Sequence, residues 1–335
     1  MNIVLYCALH FLVDMVCACA MFAFFRAGSY DSLLIYNFCA FALQMPLGAL
    51  LDLLRHKMRR FPALWAASGA VLTVIGATVH PALLGFGNAL FHVGGGMDVM
   101  EEDFARHWKG RALGAFVAPG AIGLYIGSVL GKRISGAAVL LIAAAVMVLL
   151  LFLLFRSGKE FRCTQPHENL SGSGIVVLML CCFLVVILRS WVGLTVSFPW
   201  KVQYPGLAVI TVALGKFLGG LFAARFGVLK TASATLLLAA ICYLLGDIPA
   251  VGLAAVLLFN MSMPLTLYLL ARSLPGLPGL AFGLLTFGLF LGFLPVYAGV
   301  ELPVSGAVFG AFGSLISLVL LTAAGKVAKH GKVSV

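Results

Sequence analysis

The sequence predicts an all-α polytopic membrane protein, with twelve transmembrane helices arranged as two six-helix bundles related by pseudo-two-fold symmetry. Three observations carry this expectation. Hydrophobic residues make up 62% of the 335 positions and charged residues only 10%, against about half and about a quarter in soluble domains; mean hydropathy is +1.11. Apolar runs of about 20 residues, enough for a bilayer core roughly 30 Å thick, recur to the end of the chain. One polar stretch, "RSGKEFRCTQPHENLSGSG" from Arg156 to Gly174, divides them six from six.

The breaks between apolar runs place the spans at 2–25, 31–54, 61–79, 81–98, 110–131, 134–156, 173–195, 205–226, 229–246, 249–271, 277–298 and 302–325. The first run stays apolar too long for a signal peptide, and no basic residue precedes it. His80-Pro81 separates the third span from the fourth. One helix across both would be too long for a single crossing, and proline ends or kinks a helix. The polar stretch sets the domain plan: a first bundle over 1–157, a cytoplasmic linker over 158–172 and a second bundle over 173–335. A faint echo between the halves agrees, "GALLDLLRHK" after span two against "GGLFAARFGV" after span eight.

Charge orients the chain. With both termini cytoplasmic, sixteen of the 22 Lys and Arg fall on that side and four on the other, while Arg189 and Lys216 lie inside spans. This is the positive-inside bias, and it accounts for the net charge of +11 without a nucleic-acid partner. Attraction to anionic inner-leaflet lipid follows. The compact loops fit a bacterial inner membrane. The eight cysteines lie mostly in apolar segments, without metal-ribbon or disulfide spacing, so they read as small buried hydrophobes.

The motifs resemble those of the major facilitator superfamily. Gly48, Leu50 and Asp52 match its Gly-x-Leu-x-Asp loop after span two, and Arg55 to Arg60 supply the basic run; Leu53 replaces the usual Arg, and in the second half Ala223 stands in place of Asp. "GFGNALFHVGGG" from Gly85 is similar to the fourth span of fosmidomycin-resistance-type exporters, with Val93 for the usual Pro. "GAFVAPGAIGLYIGSVLG" from Gly114 is similar to the fifth-span Gly-Pro motif, with Pro119-Gly120 in reversed order. Its Gly123, Gly127 and Gly131 repeat at four, a small-residue face that admits a neighbouring helix. The resemblance implies a monomeric secondary transporter without cofactor, in which spans one, four, seven and ten line a cavity. It also implies a conformational latch at Gly48, Asp52 and Arg55. The mixed-charge stretch Asp98 to Arg111 is expected as a cytoplasmic loop pairing with the Arg55–Arg60 run.

Ionisable groups within apolar spans are costly unless paired, hydrated or functional. Asp14 lies ~18 Å into span one, near the midplane. His10 is one turn away on the same face. In span four, Asn88 and His92 are also four apart at similar depth. Asp14 is therefore expected to carry a proton, with His10 or His92 as relay. In the second half, Arg189 and Lys216 have no acidic residue within the spans, so they are expected to hold an anion: Asp14, or a substrate carboxylate, phosphate or phosphonate. Asn88, Asn260 and Gln44 are expected as further substrate contacts.

An enzyme is not expected: "VGGGMD" lacks the Lys-Ser/Thr of a P-loop, and no HExxH occurs. The reading is a proton-coupled transporter of a small organic anion or drug-like molecule, with protons, substrate and lipid as partners. One alternative is a divalent-metal carrier with His10, Asp14 and His92 as ligands, against which Arg189 and Lys216 argue by repulsion. The others are a lipid flippase and a non-transporting sensor.

Overall fold

A computed structural model describes residues 2–25, 30–55, 61–157 and 172–330. The basic positions 56–60, most of the expected linker (158–171) and the tail beyond 330 lie outside the described residues.

Every regular element among them is helical. In chain order these are α1 (Asn2–Ala23), α2 (Tyr30–Asn37), a π-helical turn (Phe38–Ala42), α3 (Gln44–Leu54), α4 (Phe61–Val79), α5 (Pro81–Ala105), α6 (Arg111–Val117), α7 (Pro119–Arg133) and α8 (Gly136–Arg156). They continue with α9 (Gly172–Thr195), α10 (Pro199–Gln203), α11 (Pro205–Phe226), α12 (Val228–Leu244), α13 (Pro249–Asn260), α14 (Ser262–Ser273), α15 (Pro278–Tyr297) and α16 (Gly306–His330). Ten helical stretches among the described residues are long and apolar enough to cross a membrane. Two expected spans fall outside that set. The helix at Val228–Leu244 is apolar but shorter, and α5 carries glycines, Asn88, His92 and an acidic end.

Proline explains most of the breaks. Pro81 occupies the first turn of α5, and His80 before it is extended, its imidazole accepting from the Ala82 N–H at 3.1 Å. The third and fourth spans are therefore separate helices. Pro46 has no N–H for the Ala42 carbonyl, and the chain upstream relaxes into a π turn closed by Leu43 N–H on Phe38 O at 3.2 Å. Pro264 likewise divides the tenth span into α13 and α14 at Met261.

The chain forms two compact units. The first holds residues 1–106, 115–163 and 277–287. Its core is two helix pairs, α4 with α5 and α1 with α7, joined by backbone approaches that only small residues permit. A Cβ on Gly123, Gly127 or Gly131 of α7 would meet the carbonyls of Phe11, Met15 and Cys19 on α1, so the repeat at four is the packing face of α7. The second unit holds residues 107–114, 164–276 and 288–335, with α9, α12 and α16 at its centre.

One expectation is corrected here. Asp98 to Ala105 is not a loop: it continues α5 without interruption, and Asp98, Glu101, Glu102 and Asp103 are buried. Asp98, Glu101 and Glu102 are held by partners within the first unit, which is why a helix can bury them. Tyr6 donates to Asp98 Oδ2 at 2.7 Å, Arg106 Nε donates to Glu102 at 2.8 Å, and Arg55 pairs with Glu101.

Glu101 lies beyond the 81–98 span. Burial pushes its carboxyl up from 4.5 to about 7; Arg55 opposes the rise, and Asp98 and Asp52 add to it. Between those two values the folded chain binds a proton that the unfolded chain does not, so this group's contribution weakens as pH rises from 4.5 to 7. Thermal unfolding followed from pH 5 to pH 8 is expected to show a fall in midpoint that Glu101→Gln flattens by several degrees. An unchanged slope in the variant would refute the assignment.

Candidate functional site

Four side chains expected at one depth converge inside the first unit. His10, Asp14, Asn88 and His92 are each buried, none more than 7% exposed. His10 Nε2 lies 3.2 Å from Asp14 Oδ2, and His92 Nε2 lies 3.7 Å from Asp14 Oδ1. Asn88 Nδ2 donates to Asp14 Oδ1 at 2.9 Å. The two imidazoles meet edge to face, centroids 4.4 Å apart, with their Nε2 atoms at 2.9 Å. Phe91 and Phe116 flank His10, at ring centroid separations of 6.2 and 4.8 Å.

The local cause lies in the fifth span. Pro119 removes the N–H that the Ala115 carbonyl would otherwise accept, and the helix is broken between α6 and α7. Two carbonyls beside the break turn to α1: Ala115 O accepts from Cys7 Sγ at 3.2 Å, and Phe116 O accepts from His10 Nδ1 at 2.6 Å. Gly120, the next residue, leaves room for the cluster itself. A Cβ there would overlap His10 Nε2 and Asp14 Oδ2.

Hydrogen-bond logic then counts a proton. A backbone carbonyl only accepts, so His10 Nδ1 on Phe116 O and His92 Nδ1 on Asn88 O (2.8 Å) both carry hydrogen. Two neutral rings so anchored would turn two Nε2 lone pairs on each other at 2.9 Å. One added proton converts that repulsion into an N–H···N hydrogen bond, and the Asp14 carboxylate supplies the counter-charge. The arrangement can accommodate one proton shared between the two rings.

Sequence reasoning named the four ionisable and amide groups but not their supports. Phe116 acts through its backbone, which no side-chain pattern betrays. Cys17, three residues after Asp14, lies 3.5 Å from Asn88 Nδ2 through its sulfur, and Cys7 bonds the freed carbonyl, so these two cysteines are polar partners rather than plain hydrophobes. The available signal was Pro119 in the middle of a span.

Gly48, Asp52 and Arg55 also fall in the first unit. Asp52 accepts the N–H groups of Gly279 at 2.9 Å and Leu280 at 2.7 Å, two of the amides left without partners in the first turn of α15. A Cβ on Gly48 would strike the Gly279 backbone. Asp52→Asn keeps one acceptor of the two and loses the charge favoured at a helix start. It is expected to cost about 1–2 kcal/mol, read as a lower thermal midpoint, whereas Asp52→Glu recovers part of the loss. Gln44, fully buried on α3, donates to Ala40 O at 2.5 Å, while its Oε1 is buried without a partner; it does not join the histidine cluster.

The remaining residues lie in the second unit. Arg189 on α9 is 8% exposed; it donates from one terminal nitrogen to Met263 Sδ at 2.9 Å, and its Nε is buried without a partner. Among the described residues it makes no ion pair. Asn260, at the end of α13, spends its amide on Val256 O at 2.9 Å and is not bonded to Arg189. Lys216 is half-buried on α11. The structure therefore assembles the acidic and imidazole groups but does not bond the three second-unit residues into one set.

No family model matches the sequence, and no curated protein does. Solved structures do match in fold over nearly the whole chain. The E. coli fucose:proton symporter aligns at a TM-score of 0.64 with 17% identity, covering 97% of this chain and 98% of its own. The human organic anion transporter MFSD10 aligns at 0.64 with 16% identity, covering 96% and 99%. A bacterial homologue of the iron transporter ferroportin aligns at 0.63 with 14% identity, covering 99% and 98%. The chain has the fold of major facilitator superfamily transporters, as the sequence motifs led one to expect.

Proposed function

We propose, from that shared fold, that the chain is a twelve-span, two-bundle secondary transporter that couples a small organic anion to protons by alternating access. The observation that carries the proton part is the cluster in which two imidazoles, tautomers fixed by backbone carbonyls, face each other at 2.9 Å beside a buried carboxylate. Such a group takes up and releases one proton with small displacements of α1 against α5. A fucose:proton symporter and an organic anion transporter among the fold relatives are consistent with this reading.

The anion part rests on Arg189. A buried guanidinium without a carboxylate is expensive, and a substrate carboxylate or phosphate would satisfy its unpartnered Nε. Lys216 and Asn260 are the further contacts proposed in that half, with Asn88 and Gln44 in the other. The Asp52 cap on α15 is proposed as the latch that opens and closes during the cycle, with Gly48 and Arg55 beside it.

The test is proton uptake or release by the purified protein in detergent on adding pools of small organic anions. Wild type is expected to give a signal, and Arg189→Gln is expected to lose at least tenfold in apparent anion affinity while keeping a normal thermal midpoint. A variant with wild-type anion affinity would remove Arg189 from the substrate site.

A further inference from the structure

We infer that His10, Asp14 and His92 form a binding site for a divalent first-row transition-metal ion. The inference concerns the cluster described above but does not depend on anion transport. Each of the three residues offers a ligand atom, and these atoms lie within 4.8 Å of one another, all on buried side chains. The ligand set is two imidazole nitrogens and a carboxylate, which suits zinc, iron, cobalt, nickel or manganese. Magnesium and calcium prefer oxygen throughout.

Three further features fit a metal site. Both histidines present Nε2 to the centre and place Nδ1–H on a backbone carbonyl, at 2.6 and 2.8 Å; ligating histidines are held in this way, with ring orientation and tautomer fixed from behind. Asp14 is likewise held by the Asn88 amide at 2.9 Å. Asn88 Oδ1, on that same amide, is buried and has no donor, so an oxygen lone pair remains for the ion or for a water bound to it. The fit requires little movement. Two nitrogens each about 2.0–2.1 Å from a tetrahedral ion stand about 3.3 Å apart, against 2.9 Å here.

The experiment titrates untagged, chelator-treated full-length protein with cobalt(II), reading its visible ligand-field absorption. One cobalt per chain is expected. His92→Ala and Asp14→Asn should each weaken binding at least 100-fold, with a monodisperse elution profile retained. No ligand-field band in wild type, or a band that survives both His92→Ala and Asp14→Asn, overturns the inference; the surviving band would place the ion elsewhere, as an adventitious ion only. The proton-coupled anion reading fails separately: cobalt binds but anions elicit no proton signal. A protein that answers anions and ignores cobalt refutes the metal site and leaves that reading standing.

Discussion

Asp14→Asn is expected to abolish the anion-dependent proton signal while leaving the protein folded. The carboxylate is the sole acid within reach of both histidines among the described residues, at 3.2 and 3.7 Å. Removing the partner of a buried charge costs about 3–5 kcal/mol. The variant's cluster lacks the counter-charge for a proton shared by the two rings. Asparagine preserves the shape of the side chain, so a collapse of folding would itself contradict the account. Direct proton counting in detergent, wild type against variant, decides the matter; a wild-type signal from Asp14→Asn would remove the cluster from coupling altogether.

Gly120→Ala should be nearly as damaging, although it touches no ionisable group. The added methyl overlaps His10 Nε2 and Asp14 Oδ2, so α7 must retreat from α1 or His10 must leave its carbonyl. Overpacking of this kind costs about 1–3 kcal/mol. Gly123→Ala is the control. Its methyl strikes the Phe11 backbone carbonyl instead, a comparable packing fault with no polar group of the cluster displaced. The expected pattern is a lowered thermal midpoint in both variants, with proton coupling lost only in Gly120→Ala. Equal coupling in the two would reduce Gly120 to a packing residue.

The sequence disclosed as much of this site as apolar surroundings can. Ionisable side chains in membrane spans stand out against their neighbours, and the four-residue intervals of His10–Asp14 and Asn88–His92 put each pair on one face. Helical spans were legible for the same reason, since a bilayer leaves the backbone few other choices. The supports were not legible. Phe116 contributes a carbonyl, and its availability depends on a proline three residues later, in a helix that only folding brings to α1. The acidic run from Asp98 was misread as a loop because charge density normally marks solvent. Here Tyr6 and Arg55, distant in the chain, and the adjoining Arg106 satisfy Asp98, Glu101 and Glu102.

The break at Pro119 has a mechanical consequence. The carbonyl that dictates which nitrogen of His10 carries hydrogen belongs to the last turn of α6, while Gly120, which fits against the same ring, belongs to α7. Any bend at that joint alters the angle between the two supports of one imidazole. A change of angle in the backbone of the fifth span is thereby carried to an imidazole of the first.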